Sequence, residues 1–257
     1  MSTHEFELAV HAANPGQFFA CCGLLELSHR KWPGSEGWFE DGRFHIACGG
    51  TLAELGAQIC AAAPLQLDPD DDMTSPLFLP APFNLRLDWW KDGLGGGSDF
   101  KTWAGQQKVV RIAAAMHAAL GAVAWSPDEL LNSGAILYDI HDSNRPVEPF
   151  YFDCRRASQA HSLDVGFSAD AHNMNVPVYS AVEFMCLIGL ERFRPKPRDD
   201  RRFEYRTWTC PLAAPCAAPA ALGAIPLPGR SFAFPLLYRT KYLKGFLPAM
   251  KLENNYD

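Results

Sequence analysis

The hydrophobic pattern opens with an alternation. In FELAVHAA, Phe6, Leu8 and Val10 recur at every second position, the period of a half-buried strand from Phe6 to Ala13. Asn14-Pro15 then supplies a helix cap followed by proline at the first helical position. The run PGQFFACCGLLELSHRK changes to helical spacing, with Phe18, Cys21, Cys22 and Leu25 on one stripe, and ends before Pro33-Gly34. GWFEDGRFHI sets two aromatic runs around Asp41-Gly42, which predicts a hairpin with a type I′ turn. Thr51 and Glu54 form a capping box ahead of a short helix reaching about Ala62.

Further on, NLRLDWW reads as a strand, and a glycine loop leads to an amphipathic helix from Lys101 to Leu120. Ser126-Pro127-Asp128-Glu129 predicts another helix start. PFYFDCRR and LDVGFS read as extended pieces, and Pro177 to Leu190 as a strongly apolar helix running into Arg192. FEYRTWT and SFAFPLLY are late strands, with PLAAPCAAPAALGAIPLPG between them as an irregular connection. Hairpins at both ends without regular βαβ alternation predict an α+β fold, a mixed, mainly antiparallel sheet with packed helices. No repeat or clean linker divides residues 1–257, which read as one compact unit.

Composition adds the compartment. The chain is 48% hydrophobic and 20% charged, ordinary for a soluble globular protein. No apolar run approaches the ~20 residues of a membrane span. MSTHEFELAVHAANP carries Glu5 and Glu7 and no basic region, so no secretory signal and a cytoplasmic location are expected. Eight cysteines occur without a C-x-x-C pair, and Pro211 and Pro215 separate Cys210 from Cys216. Free, mostly buried thiols are expected, not disulfides or a zinc site.

The net charge of −6 hides an asymmetry. Residues 1–150 carry 9 Lys/Arg against 19 Asp/Glu, and residues 151–257 carry 14 against 10. The switch offers a division into an acidic lobe, 1–150, and a basic lobe, 151–257. Such a chain suits a polyanion on one face and protein on another; two solvated faces satisfy the same counts.

The glycine loop in DWWKDGLGGGSDFKTWAGQQ fails as a Walker motif, because Lys101-Thr102 follows Phe100 and not the last glycine, Gly97. The dinucleotide fingerprint fails too, for want of an acidic residue at the right distance. What remains is an anion-favouring segment: Lys91 and Lys101 flank Gly95, Gly96 and Gly97, which allow close backbone approach. On the expected helix Lys108 and Arg111 share a face, with Lys101 two turns below. Asp68, Asp70, Asp71 and Asp72 lack the spacing of a calcium loop and read as solvated. Asp139 and His141 in YDIHDS form at most half a metal site. No nucleophile motif appears, so no catalytic residue, metal or cofactor is expected.

The second half supplies the basic features. Arg155 and Arg156 are adjacent. Arg192, Arg194, Lys196, Arg198, Arg201 and Arg202 crowd one stretch that Pro195 and Pro197 keep extended. Arg239, Lys241 and Lys244 lie in the acid-free run from Arg230 to Leu252. Interleaved with Phe193, Phe203, Tyr205, Tyr238 and Tyr242, these cations combine phosphate neutralisation with stacking surfaces.

Several blocks also resemble a known family. NPGQFFACCGLLELSHRKWPGSEGWFEDGRFHI is similar to the opening of the small large-subunit-like CRISPR-associated protein of type I-U (I-G) Cascade effector modules. LDWWKDGLGGGSDFKTWAGQQ, FDCRRAS with LDVGFSAD, and VYSAVEFMCLIGLERFRP resemble its later blocks in the same order. The resemblance implies a non-catalytic subunit that joins CRISPR RNA, target DNA and the backbone and cap subunits. It also implies help in reading the protospacer-adjacent motif and in recruiting the helicase–nuclease, while base pairing reads sequence. The departure is length: many large subunits are much longer, so a helical C-terminal bundle is not expected here. A structural assembly subunit without nucleic-acid contact, or a nucleotide- or metal-dependent enzyme using the glycine loop, Asp139 and His141, are the alternatives.

Overall fold

The computed structural model describes residues 4–71, 73–91, 101–103, 107–155, 177–238 and 244–253. Strand β1 (His4–Ala9) leads through Asn14 into helix α1 (Pro15–Lys31). The Asn14 side chain accepts from the Gly16 amide and Pro15 has no N–H to satisfy, while His29, Arg30 and Lys31 complement the dipole at the far end. The hairpin β2 (Glu36–Glu40) and β3 (Arg43–Cys48) turns at Asp41 and Gly42, whose φ angles of 46° and 76° meet the demand of a type I′ turn. In α2 (Leu52–Ala61) the expected capping box is present, Thr51 and Glu54 each accepting from the other's amide.

Strands β4 (Leu65–Gln66), β5 (Leu77–Leu79) and β6 (Leu85–Leu87) make a small antiparallel sheet. After α3 (Val109–Ala119) comes a two-stranded hairpin, β7 (Tyr138–Asp139) and β8 (Asp142–Pro146). Helix α4 (Ser180–Arg192) is followed by β9 (Lys196–Pro197), β10 (Arg202–Arg206), β11 (Leu212–Ala213) and α5 (Ala214–Ala221). Strands β12 (Ser231–Tyr238), β13 (Lys244–Phe246) and β14 (Met250–Lys251) complete the described elements. One sheet has the order β1-β3-β2-β11; another runs β13-β12-β10-β9 with β14 also on β12. Every pairing among the described strands is antiparallel, and the fold is α+β as the pattern predicted.

At the centre α1 lies against α4. Every residue from Pro15 to Ser28 is buried, and so is every residue from Ser180 to Leu190. Helices apolar on all sides must be covered on all sides. Their backbones meet at two glycines: a methyl on Gly23 would fall on the Met185 carbonyl oxygen, and one on Gly189 on that of Phe19. The remaining sides of α1 meet both sheets. Phe18 stacks on Phe39 of β2 and on Tyr205 of β10, with ring centroids 5.2 and 4.3 Å apart. The core runs through both halves of the chain: Tyr205 donates to the Ala12 carbonyl (2.6 Å), Trp208 donates to that of Gly37 (2.7 Å), and β11 pairs with β2.

Several elements differ from the pattern-based expectation. The α3 helix starts at Val109, not Lys101, because the Thr102 carbonyl instead accepts from the Lys244 amide (2.8 Å) and Trp103 is buried. Lys101 therefore lies off the helix that carries Lys108 and Arg111. Ser126 opens a single turn, closed by the Leu130 amide on the Ser126 carbonyl, too short to propagate. The alanine- and proline-rich connection contains α5, where Pro215 sits in the tolerant first turn and small alanines bury against their neighbours despite Pro219. Pro195 and Pro197 lead into a β9–β10 hairpin whose turn places Arg201 at φ 61°. The LDVGFS stretch lies outside the described residues.

Replacing Gly23 or Gly189 by alanine is expected to force the two central helices apart, at a cost of about 2–3 kcal/mol each. Denaturant unfolding of the two variants checks this; Gly223→Ala is no control, since its φ is left-handed, whereas Gly121→Ala, with open space at its Cβ, is expected to be nearly neutral.

Candidate nucleic-acid interface

Two of the expected cations come together through backbone pairing. The bond from the Lys244 amide to Thr102 brings β13 beside residues 101–103, so Lys101 and Lys244 are electrostatic neighbours. Each leans on an aromatic ring: Lys101 Nζ lies 5.0 Å from the Trp103 centroid, and Lys244 Nζ lies 5.5 Å from that of Tyr238. Lys101 Nζ also donates to the Trp103 carbonyl (3.1 Å). Partial burial, and then the Lys244 charge, lower the Lys101 pKa. The Thr102 hydroxyl next to Lys101 is fully buried and has no hydrogen-bond partner. Tyr238 is 60% exposed, an open ring beside an ammonium.

A second cationic place is a cleft of about 510 Å³ at the start of α3, lined by Lys108, Arg111, Arg145 and Glu148 among others. Lys108 is the N-cap residue and makes no side-chain cap, and the first turn holds no acid. Arg111 pairs with the buried carboxylate of Asp139 (3.1 Å), and Gln107 donates to Glu148 (3.2 Å). Arg145, on the exposed strand β8, escaped the sequence reading because it stands alone among polar residues.

Most of the other cations meet carboxylates. Lys91 pairs with Asp71 (3.3 Å) and Arg194 with Glu191 (3.8 Å). Arg192 and Arg30 share the buried Glu26, whose carboxyl burial would push up but the two guanidiniums hold below the usual range. Arg198 reaches Asp200 (3.4 Å) and Glu204 (2.9 Å), and Arg202 also binds Asp200. Arg155 is held on several sides. It bonds Asp153 through two nitrogens, donates to Asn132 Oδ1 and the Leu131 carbonyl, and lies 3.5 Å above the Tyr179 ring. Lys196 and Arg201 are exposed. Gly95, Gly96, Gly97, Arg156, Arg239 and Lys241 lie outside the described residues.

Asp139 and His141 do not form a half-site. Asp139 is buried toward Arg111 and accepts the His141 amide (2.9 Å), while the His141 side chain belongs to an exposed turn. Among the described residues no group of three or more His, Cys, Asp or Glu could hold a metal ion, and no helix is long and apolar enough to cross a membrane. The cysteines are free; burial raises the thiols of Cys21, Cys22 and Cys186 well above their usual range and pushes Cys154 up to about 12. Comparison with protein-family models, curated proteins and solved structures finds no match.

The Lys91 partner supplies a pH test. The Thr74 hydroxyl and amide, and then Lys91, hold the Asp71 carboxyl down at about 2. A depressed acid stabilises the fold fully above its unfolded pKa near ~4 and loses that contribution as pH falls through the folded value. Asp71→Asn is thus expected to lower the melting temperature at pH 6 and to converge on the parent toward pH 2, as thermal melts across pH would record.

Proposed function

We propose that this chain is a non-catalytic subunit of a type I CRISPR RNA-guided surveillance complex. In this reading it contributes to target DNA binding, protospacer-adjacent-motif recognition and recruitment of the helicase–nuclease. Its partners are CRISPR RNA, target DNA and the backbone and cap subunits. The ordered sequence blocks that resemble the type I-U subunit support the class. The observation that supports nucleic-acid contact is the grouping of Lys101, Lys244 and the exposed Tyr238 ring.

Two ammonium groups side by side repel, and an oligonucleotide phosphate between them turns that repulsion into attraction. An open tyrosine ring at the same point accepts a base by stacking without regard to its identity. The cleft with Lys108 and Arg145 takes further phosphates along the strand, while Arg111 beside them is held by Asp139. Cations already matched by carboxylates, Arg155 and Arg192 above all, hold the fold in this scheme, because a phosphate would have to displace their partners. The protein thus positions a backbone and leaves sequence to base pairing.

The test is fluorescence anisotropy with labelled single-stranded DNA over a range of salt, on the chain assembled with its partner subunits. Lys101→Ala with Lys244→Ala is expected to flatten the slope of log K against log salt by about 1.4, two phosphates' worth of counterion release. Tyr238→Ala is expected to weaken binding by about 1–3 kcal/mol with the slope unchanged. Unaltered affinity and slope in both variants would end the proposal. Bound DNA should also raise the lowered Lys101 pKa, since an anion favours the charged amine; NMR titration of the Lys101 Nζ-linked methylene reads this directly.

A further inference from the structure

The sheet β1-β3-β2-β11 has one face on α1; on the other, Glu5, Glu36 and Glu40 are exposed while Trp38, Arg43 and His45 are half-buried. Burial alternates along β2: Gly37 and Phe39 point inward, and Glu36, Trp38 and Glu40 stand on the other face. Register places Glu7 of β1, His45 of β3 and Trp38 of β2 in one row across the sheet. The Trp38 indole lies flat against His45, 5.0 Å between centroids at 8°. His45 meets Glu5 at 3.3 Å and Glu7 at 3.8 Å, and Arg43 meets Glu7 at 3.2 Å and Asp128 at 3.1 Å. Glu36 and Glu40 have no ion-pair partner among the described residues and are exposed. On β2 a half-buried tryptophan, one ring face covered by His45, therefore has an exposed carboxylate two residues to either side along its strand.

We propose that this face docks a partner protein through an extended basic segment, one arginine or lysine lying on Trp38 between Glu36 and Glu40. The occupant follows from charge. Side chains two apart on a strand stand about 7 Å from one another, so Glu36 and Glu40 bracket a cation seated over the ring. A guanidinium there gains from the indole face opposite His45 and from the negative field of the carboxylates on either side. An acidic partner or an oligonucleotide would meet repulsion from Glu5, Glu7, Glu36 and Glu40. The face does not depend on the nucleic-acid reading, which concerns other residues and is measured with DNA.

A labelled peptide alternating arginine and valine, and a counterpart alternating glutamate and valine, serve as probes for the full chain. The basic peptide is expected to bind and to quench a part of the tryptophan fluorescence that is missing in Trp38→Ala, and the acidic one not to bind. Trp38→Ala should weaken binding about fivefold, and Glu36→Gln with Glu40→Gln about tenfold, the latter without touching the core. Sedimentation of both variants and the parent checks the competing occupant. Failure of the parent to bind the basic peptide, equal binding by parent and variants, or a parent dimer that Trp38→Ala abolishes would each overturn the proposal, the last in favour of a second copy.

Discussion

The close approach of α1 and α4 at Gly23 and Gly189 is the constraint on which the rest of the structure depends. A carbonyl oxygen of each helix occupies the space where the other's side chain would be. That contact lets two helices apolar on every side cover one another, and it leaves the opposite side of α1 free for both sheets. Phe18 then reaches Phe39 and Tyr205 together, so strands far apart in sequence are seated on one turn of helix. Each fully buried aromatic or leucine of this centre contributes about 1.5–3 kcal/mol, provided the spacing holds.

Around the start of α1 the core turns polar without becoming unsatisfied. Glu183, fully buried, accepts the Phe152 and Asp153 amides at 3.2 and 3.0 Å. Asp153 in turn accepts from the Asn14 side chain (2.9 Å) and from Arg155, and Asn14 accepts the amides of Gly16 and Cys154. Buried carboxylates survive where such bonds replace water. This network, together with the bond from the Phe246 amide of β13 to the Tyr151 carbonyl (2.9 Å), holds Phe150, Tyr151 and Phe152 in place, with Arg155 as one of its members.

The local devices were legible before any coordinates. Asn14-Pro15, Asp41-Gly42 and the Thr51–Glu54 box act over at most a few residues, and each occurs where the pattern places it. The apolar helices were legible as well, though the stripe on α1 understated a helix buried all round. Short-range readings failed where a distant partner competed: Thr102 pairs with Lys244, and the alanines of α5 bury against helix and strand instead of remaining irregular.

Sequence by itself determined the fold class, the caps and turns, and which residue types carry charge, because propensity and periodicity are properties of neighbours along the chain. Tertiary structure alone decided which of those charges meet a carboxylate. Arg192 finds Glu26, Arg111 finds Asp139, and Lys101 finds another lysine, all across separations that no local pattern encodes. Coulomb interaction depends on distance in space, and only packing sets that distance.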